Sequence, residues 1–138
     1  MKMLKDNVIL KHLTLFILPY IILYSLYIQI NGETSPGGGF QSGVIFASAV
    51  IAVDLLYGEK KFLSKDLLLF TAVIGVIIYA VTGAISLVFN DNYLNYYSIC
   101  NDTILSQHVG IFLIEAGVGL TVAATMCLIY SVISYLGE

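Results

Sequence analysis

The chain has 138 residues, of which 59% are hydrophobic and 11% charged, with a formal net charge of −3. A soluble domain is usually about 25% charged and about 45–50% apolar, whereas four spans of about 20 residues each would place roughly 80 residues in lipid. This excludes a soluble enzyme, a nucleic-acid binder and a disordered linker, and points to an all-α integral membrane protein with short loops. All six basic residues are lysines, so the guanidinium fork that grips phosphate in two places is missing as well. Cys100 falls in a polar loop and Cys127 deep in an apolar run. Pairing them would demand an unfavourable geometry, so two free thiols are expected.

The first apolar run extends from about Leu13 to Ile30 and is preceded by Lys2, Lys5 and Lys11. It exceeds the ~7–15 residues of a signal-peptide core, and Asn31-Gly32-Glu33 offers no small-x-small cleavage site. A retained span is therefore expected. Within it Pro19 removes a backbone hydrogen bond to Leu15, which predicts a bend. Tyr20, Tyr24 and Tyr27 recur on one helical face and read as a packed or lipid-facing stripe, with a substrate cage as the alternative.

Next comes Ser35-Pro36-Gly37-Gly38-Gly39-Phe40. Consecutive glycines reach positive φ and bare their peptide groups. Irregular backbone near membrane depth is tolerated only where protein or water covers it. The segment is thus either a structured turn packed against neighbours or lining an ion route, or a flexible external loop. It is no phosphate-binding loop, because no Lys-Ser/Thr follows at the required spacing.

The second run covers about 40–57 and holds two pairs of small residues, Gly43/Ala47 and Ser48/Ala52, suited to close helix contact. Asp54 sits about one turn from its end, with Glu59, Lys60 and Lys61 beyond. It reads as a solvated interfacial acid or as an ion-handling group. A third run, about 67–89, is uncharged and carries Thr71, Gly75, Thr82 and Ser86 along one side. Tyr93, Tyr96 and Tyr97 follow, in a loop where amphipathic rings favour the headgroup zone.

The fourth run, about 109–136, has Gly117, Thr121 and Thr125 at intervals of four and a single charge, Glu115. Glu115 lies six residues past Val109, about 9 Å into the helix. An acid in a span costs about 2.5–3.5 kcal/mol at the bilayer centre and less away from it. Its retention calls for a partner, a water-filled cavity or a proton on the carboxyl. Glu115 is thus either a cation- or proton-binding group or a structural carboxyl bonded to another helix. His108, at the entry to this run, is either merely exposed or a relay to the surface.

Lysines precede span one and fill the 58–66 loop, whereas the other two loops contain only Glu33, Asp91 and Asp102 as charges. The positive-inside rule then predicts four transmembrane helices with N-in/C-in topology. No metal-ligand spacing, Cys-His pair or nucleophilic triad is visible, so no metal, cofactor or enzymatic activity is expected. A self-sufficient proton-coupled transporter normally carries several buried titratable groups. One clear intramembrane acid points instead to a small subunit of something larger.

The run from Gly32 to Gly43, with Pro36-Gly37-Gly38-Gly39-Phe40 at its centre, resembles the signature loop of the MnhB/MrpB family, the B subunits of multisubunit Mrp-type Na+/H+ antiporters. The start at Asn7-Val8-Ile9-Leu10 and the stretch from His108 through Glu115 to Val122 are also similar, and the likeness covers about Asn7 to Ser134 in matching order. Glu33 stands where a His or another polar residue is expected, and Ser42 where Gly is common.

The resemblance implies a single MnhB-like membrane domain over 1–138, in the bacterial cell (inner) membrane. Its partners would be the other Mrp-type subunits and the lipid bilayer, with Na+ and H+ as transported ions. The protein would contribute to assembly and to part of the cation route. The resemblance also favours a packed structural loop (Pro36, Gly37, Gly38, Gly39, Phe40) and makes Glu115 the leading ion- or proton-handling candidate, beside Asp54 and His108. Two other readings stay open: a membrane-arm component of a hydrogenase-type, redox-driven ion-pumping complex, and a homo-oligomeric channel.

Overall fold

The computed structural model describes residues 8–34, 36–57, 64–88, 92–96 and 103–136. Four helices make up nearly all of it: α1 (Val8–Ile30), α2 (Gly39–Tyr57), α3 (Lys65–Val88) and α4 (Thr103–Leu136). Each is long and apolar enough to cross a membrane, and no strand occurs among the described residues. Helix is the form an apolar segment takes in hydrocarbon, because it satisfies every peptide group internally. Lys2, Lys5, Ser35, Lys60, Lys61, Asp91, Tyr97, Cys100 and Asp102 lie outside the described residues.

Helix α1 runs unbroken through Pro19. Tyr20, Tyr24 and Tyr27 all face outward, which makes them a peripheral stripe. The threonines deal with their hydroxyls locally. Thr71, Thr82 and Thr121 bond back to the carbonyls of Leu67, Ile78 and Gly117 at 2.8 Å each. Such back-bonding gives each of these hydroxyls a partner in an apolar medium, whereas the buried Ser86 Oγ has none among the described residues.

The helices form a row rather than a closed bundle. Helix α4 is wedged between α2 and α3, α1 packs on α2, and among the described residues α1 and α3 do not meet. Helices α2 and α4 run parallel, with Gly39 on Glu115 and Gly43 on Gly119. Helix α1 is antiparallel to α2: Ser25 Oγ donates to the Ser42 carbonyl at 2.9 Å, and Lys11 Nζ lies 4.3 Å from the centre of the Tyr57 ring at the far end. A groove of about 320 Å³ opens on one face and is lined by all four helices, including Leu26, Phe46, Leu67 and Cys127.

Close approach comes from small residues. A Cβ on Gly75 would meet the Gly117 carbonyl at 2.6 Å and the Thr121 amide at 2.8 Å, so α3 and α4 touch backbone to backbone there. Gly43 does the same for α2 against the Gly119 carbonyl, at 2.5 Å. Ala47, Ala49, Ala124 and Cys127 fill the seam, whereas Ser48 of the second small pair is exposed. Large apolar side chains such as Ile9, Phe70 and Val88 point outward. That distribution suits a protein whose solvent is lipid, where helix contact rests on tight packing rather than on burying large hydrophobes.

The two hairpins are staggered. Helix α2 begins on Glu115, twelve residues beyond the start of α4 at Thr103. Helix α4 therefore projects about 18 Å past the α1–α2 loop at 1.5 Å per residue. Helix α3 accompanies that projection, and the turn after it is pinned back on both helices. Leu94 N donates to the Gly83 carbonyl at 3.4 Å, Ser106 Oγ bonds the Tyr96 carbonyl, and the Tyr93 and Tyr96 rings lie on Gly83 and Gly110. Burial pushes the Tyr96 phenol above its usual range, with Tyr79 and Tyr93 adding to the effect.

Gly75→Val should force the α3–α4 seam apart and lower thermal stability in detergent by about 1–3 kcal/mol. Val76→Leu, on the exposed side of the same turn, should leave the melting temperature unchanged.

Candidate ion- and proton-handling site

The α1–α2 loop is built to lie on α4. After α1, Asn31 N and Nδ2 both donate to the Tyr27 carbonyl, at 3.0 and 2.9 Å, and Thr34 N donates to the Asn31 carbonyl at 3.1 Å. Gly37 and Gly38 then take φ of 150° and 79°, a region open to glycine and strained for other residues. The Gly38 carbonyl accepts from Ser42 N at 3.1 Å, which starts α2. Gly38 and Gly39 are buried, whereas Pro36 and Phe40 are exposed.

Three of these glycines shape a niche around Glu115. A Cβ on Gly32 would overlap the Glu115 carboxyl group, and one on Gly38 would meet it at 3.1 Å. A Cβ on Gly39 would collide with the backbone of Glu115 itself. The carboxyl thus sits against bare peptide backbone, in a pocket that exists because three side chains are missing.

Two further titratable groups lie at the rim of the niche. Glu33 Oε2 and His108 Nδ1 are 2.5 Å apart, with side chains 33% and 56% exposed. His108 and Glu115 are seven residues apart, two turns along one face of α4 and about 10.5 Å in rise. Glu33 meets His108, and its chain neighbour Gly32 lies against the Glu115 carboxyl. Chemically, a carboxylate beside peptide dipoles can hold either a proton or a small cation, and the adjoining Glu33–His108 contact leads out to solvent.

Asp54 stands apart from this cluster. It is fifteen residues beyond Gly39 on α2, about 22 Å along the helix. There it interacts with the hydroxyl of Tyr130, which also engages Ser134. His108 and Glu115 thus share one face of α4, two turns apart, and Asp54 lies at the opposite end of the α2–α4 seam. Among the described residues no three His, Cys, Asp or Glu side chains gather to hold a metal ion.

Several polar groups of the site carry no sequence signal of their own. The Glu33–His108 pairing spans 75 positions and could not be inferred locally. One turn beneath the niche, Ser42 Oγ contacts both the Gly39 carbonyl, at 2.9 Å, and Gln29 Oε1, and the buried Gln29 Nε2 has no partner.

Fold and niche together define a multi-pass helical membrane protein with a carboxyl group set under a glycine-rich loop. A family model described as "Domain related to MnhB subunit of Na+/H+ antiporter" matches residues 9–128, and the chain belongs to the MnhB family. The Na(+)/H(+) antiporter B subunit of Alkalihalophilus pseudofirmus is 32% identical over 139 residues, covering 91% of this chain and 96% of that protein. The Bacillus subtilis protein of the same name is 27% identical, covering 88% and 93% respectively. A putative antiporter subunit mnhB2 of Staphylococcus aureus is 28% identical over 69% of each chain.

Gly39→Ala should lift the start of α2 off Glu115 and cost about 1–3 kcal/mol in a thermal melt. Thr34→Ala, at an exposed turn hydroxyl, should melt as the parent chain does.

Proposed function

We propose that this chain is the B-type subunit of a multisubunit Na+/H+ antiporter, acting in a bacterial cell membrane with its termini and the 58–66 loop on the cytoplasmic side. It forms one membrane domain, assembles with other Mrp-type subunits within the bilayer, and serves transport rather than chemical conversion. Na+ and H+ are the transported ions. Membership of the MnhB family supports the subunit role, and the six lysines support the orientation by the positive-inside rule.

The observation that carries the site is the Glu115 niche. A part-buried carboxyl in an apolar helix, flanked by Gly32, Gly38 and Gly39, is a position where a proton and a monovalent cation compete for one negative charge. His108 handles protons at the exposed rim of the site, and Asp54 serves the opposite end of the α2–α4 seam. The loop from Pro36 to Phe40 is structural: its glycines bring backbone onto α4.

The test is a gentle pull-down of the tagged chain from its own membranes, followed by transport in the recovered complex. Large polytopic subunits without redox proteins are expected, and Glu115→Gln should reduce Na+-dependent proton exchange by about tenfold or more without loss of assembly. Asp54→Asn should cost less than Glu115→Gln. Normal exchange by a fully assembled Glu115→Gln complex would remove the carboxyl from the ion route. Redox proteins in the particle would move the chain to an energy-converting complex, and recovery of the chain alone would favour a homo-oligomeric pore.

A further inference from the structure

We propose that Glu33 is a proton-relay residue, carrying protons between the exposed His108 and the intramembrane Glu115. This deepens the role given to the niche and rests on Glu115 being its ion-handling group.

Three observations converge on Glu33. Its Oε2 is 2.5 Å from His108 Nδ1, a contact made across 75 positions of sequence. Its neighbour in the chain, Gly32, lies directly against the Glu115 carboxyl group. Exposure also falls in order, from the exposed His108 and Glu33, with side chains 56% and 33% exposed, to the part-buried Glu115 beside buried Gly38 and Gly39. The three groups form a path from solvent into the membrane, and the loop carries its middle step.

The transfer balances without any further reactant. A protonated His108 gives its Nδ1 proton to Glu33, leaving a neutral imidazole and a neutral carboxyl. Glu33 passes that proton to the Glu115 carboxylate and regains its charge. The imidazole, still protonated on Nε2, takes its next proton from water when the exposed ring turns outward. When exchange runs in the other direction, a proton that has reached Glu115 from the opposite side of the membrane leaves by the same steps run backward, as a cation takes its place. Glutamine at position 33 preserves the shape and the hydrogen bond to His108 but carries no proton. A purely mechanical latch and a relay therefore part company at that substitution.

The experiment uses the assembled antiporter in proteoliposomes, with Na+-driven proton flux measured per complex for His108→Gln, Glu33→Gln, the double variant, Glu33→Asp and Glu115→Gln. Each glutamine at 33 or 108 should lower kcat by about tenfold or more at unchanged KM for Na+. The double variant should be no slower than the slower single one, because both lie on one path, and Glu33→Asp should recover most of the rate. Unchanged flux per complex in the single variants, or losses that multiply in the double variant, would overturn the relay. Glu115→Gln separates the two claims. Abolished flux there with normal flux in Glu33→Gln would refute the relay alone, whereas normal flux in Glu115→Gln would refute the niche as well.

Discussion

The backbone contact between Gly39 and Glu115 is the constraint from which the rest of the site follows. A helix that starts on a bare glycine can bring its first turn onto a neighbouring backbone, and a residue with any side chain at 39 would hold it off. That single approach fixes the parallel register of α2 and α4. It places the loop glycines around a carboxyl and leaves α4 to continue alone with α3 beyond the loop. Had α2 begun two turns earlier along α4, Glu115 would lie in an ordinary helix seam and the acid would need another partner.

The same stagger explains how irregular backbone survives close to hydrocarbon. Peptide groups exposed to lipid are costly, but here Gly38 and Gly39 are buried, and the turn before them closes its own hydrogen bonds. The loop is thus an element of packing, with positive φ at Gly37 and Gly38 giving it the shape that glycine permits. The exposure of Phe40 and Pro36 leaves the other side of the loop free to meet neighbouring proteins of the complex. A row of four helices with large hydrophobes turned outward fits a protein that buries them against neighbours in the membrane.

Much of this was legible in the sequence, for identifiable reasons. Four long apolar runs with almost no charge admit only helices in lipid, so the helix count followed from composition. Glu115 stood out because a lone acid in such a run has a cost that needs a reason. The glycine run announced unusual backbone, though whether it packed or moved required knowing that it faces α4. Other features were illegible because they depend on register between distant segments. Nothing near Glu33 indicates His108, and nothing near Asp54 indicates Tyr130. The row-like order of the helices was also hidden, since small-residue faces occur on three of the four runs and do not name their partners.

In the proposed role, the Glu115 carboxyl exchanges a proton for Na+ within the niche. Infrared difference spectroscopy of the assembled antiporter in bilayers, recorded with and without Na+, tests it directly. Na+ should remove the carbonyl band of a protonated carboxyl, and this change should be absent in Glu115→Gln. A Na+-induced spectrum that is identical in the parent complex and in Glu115→Gln would contradict it.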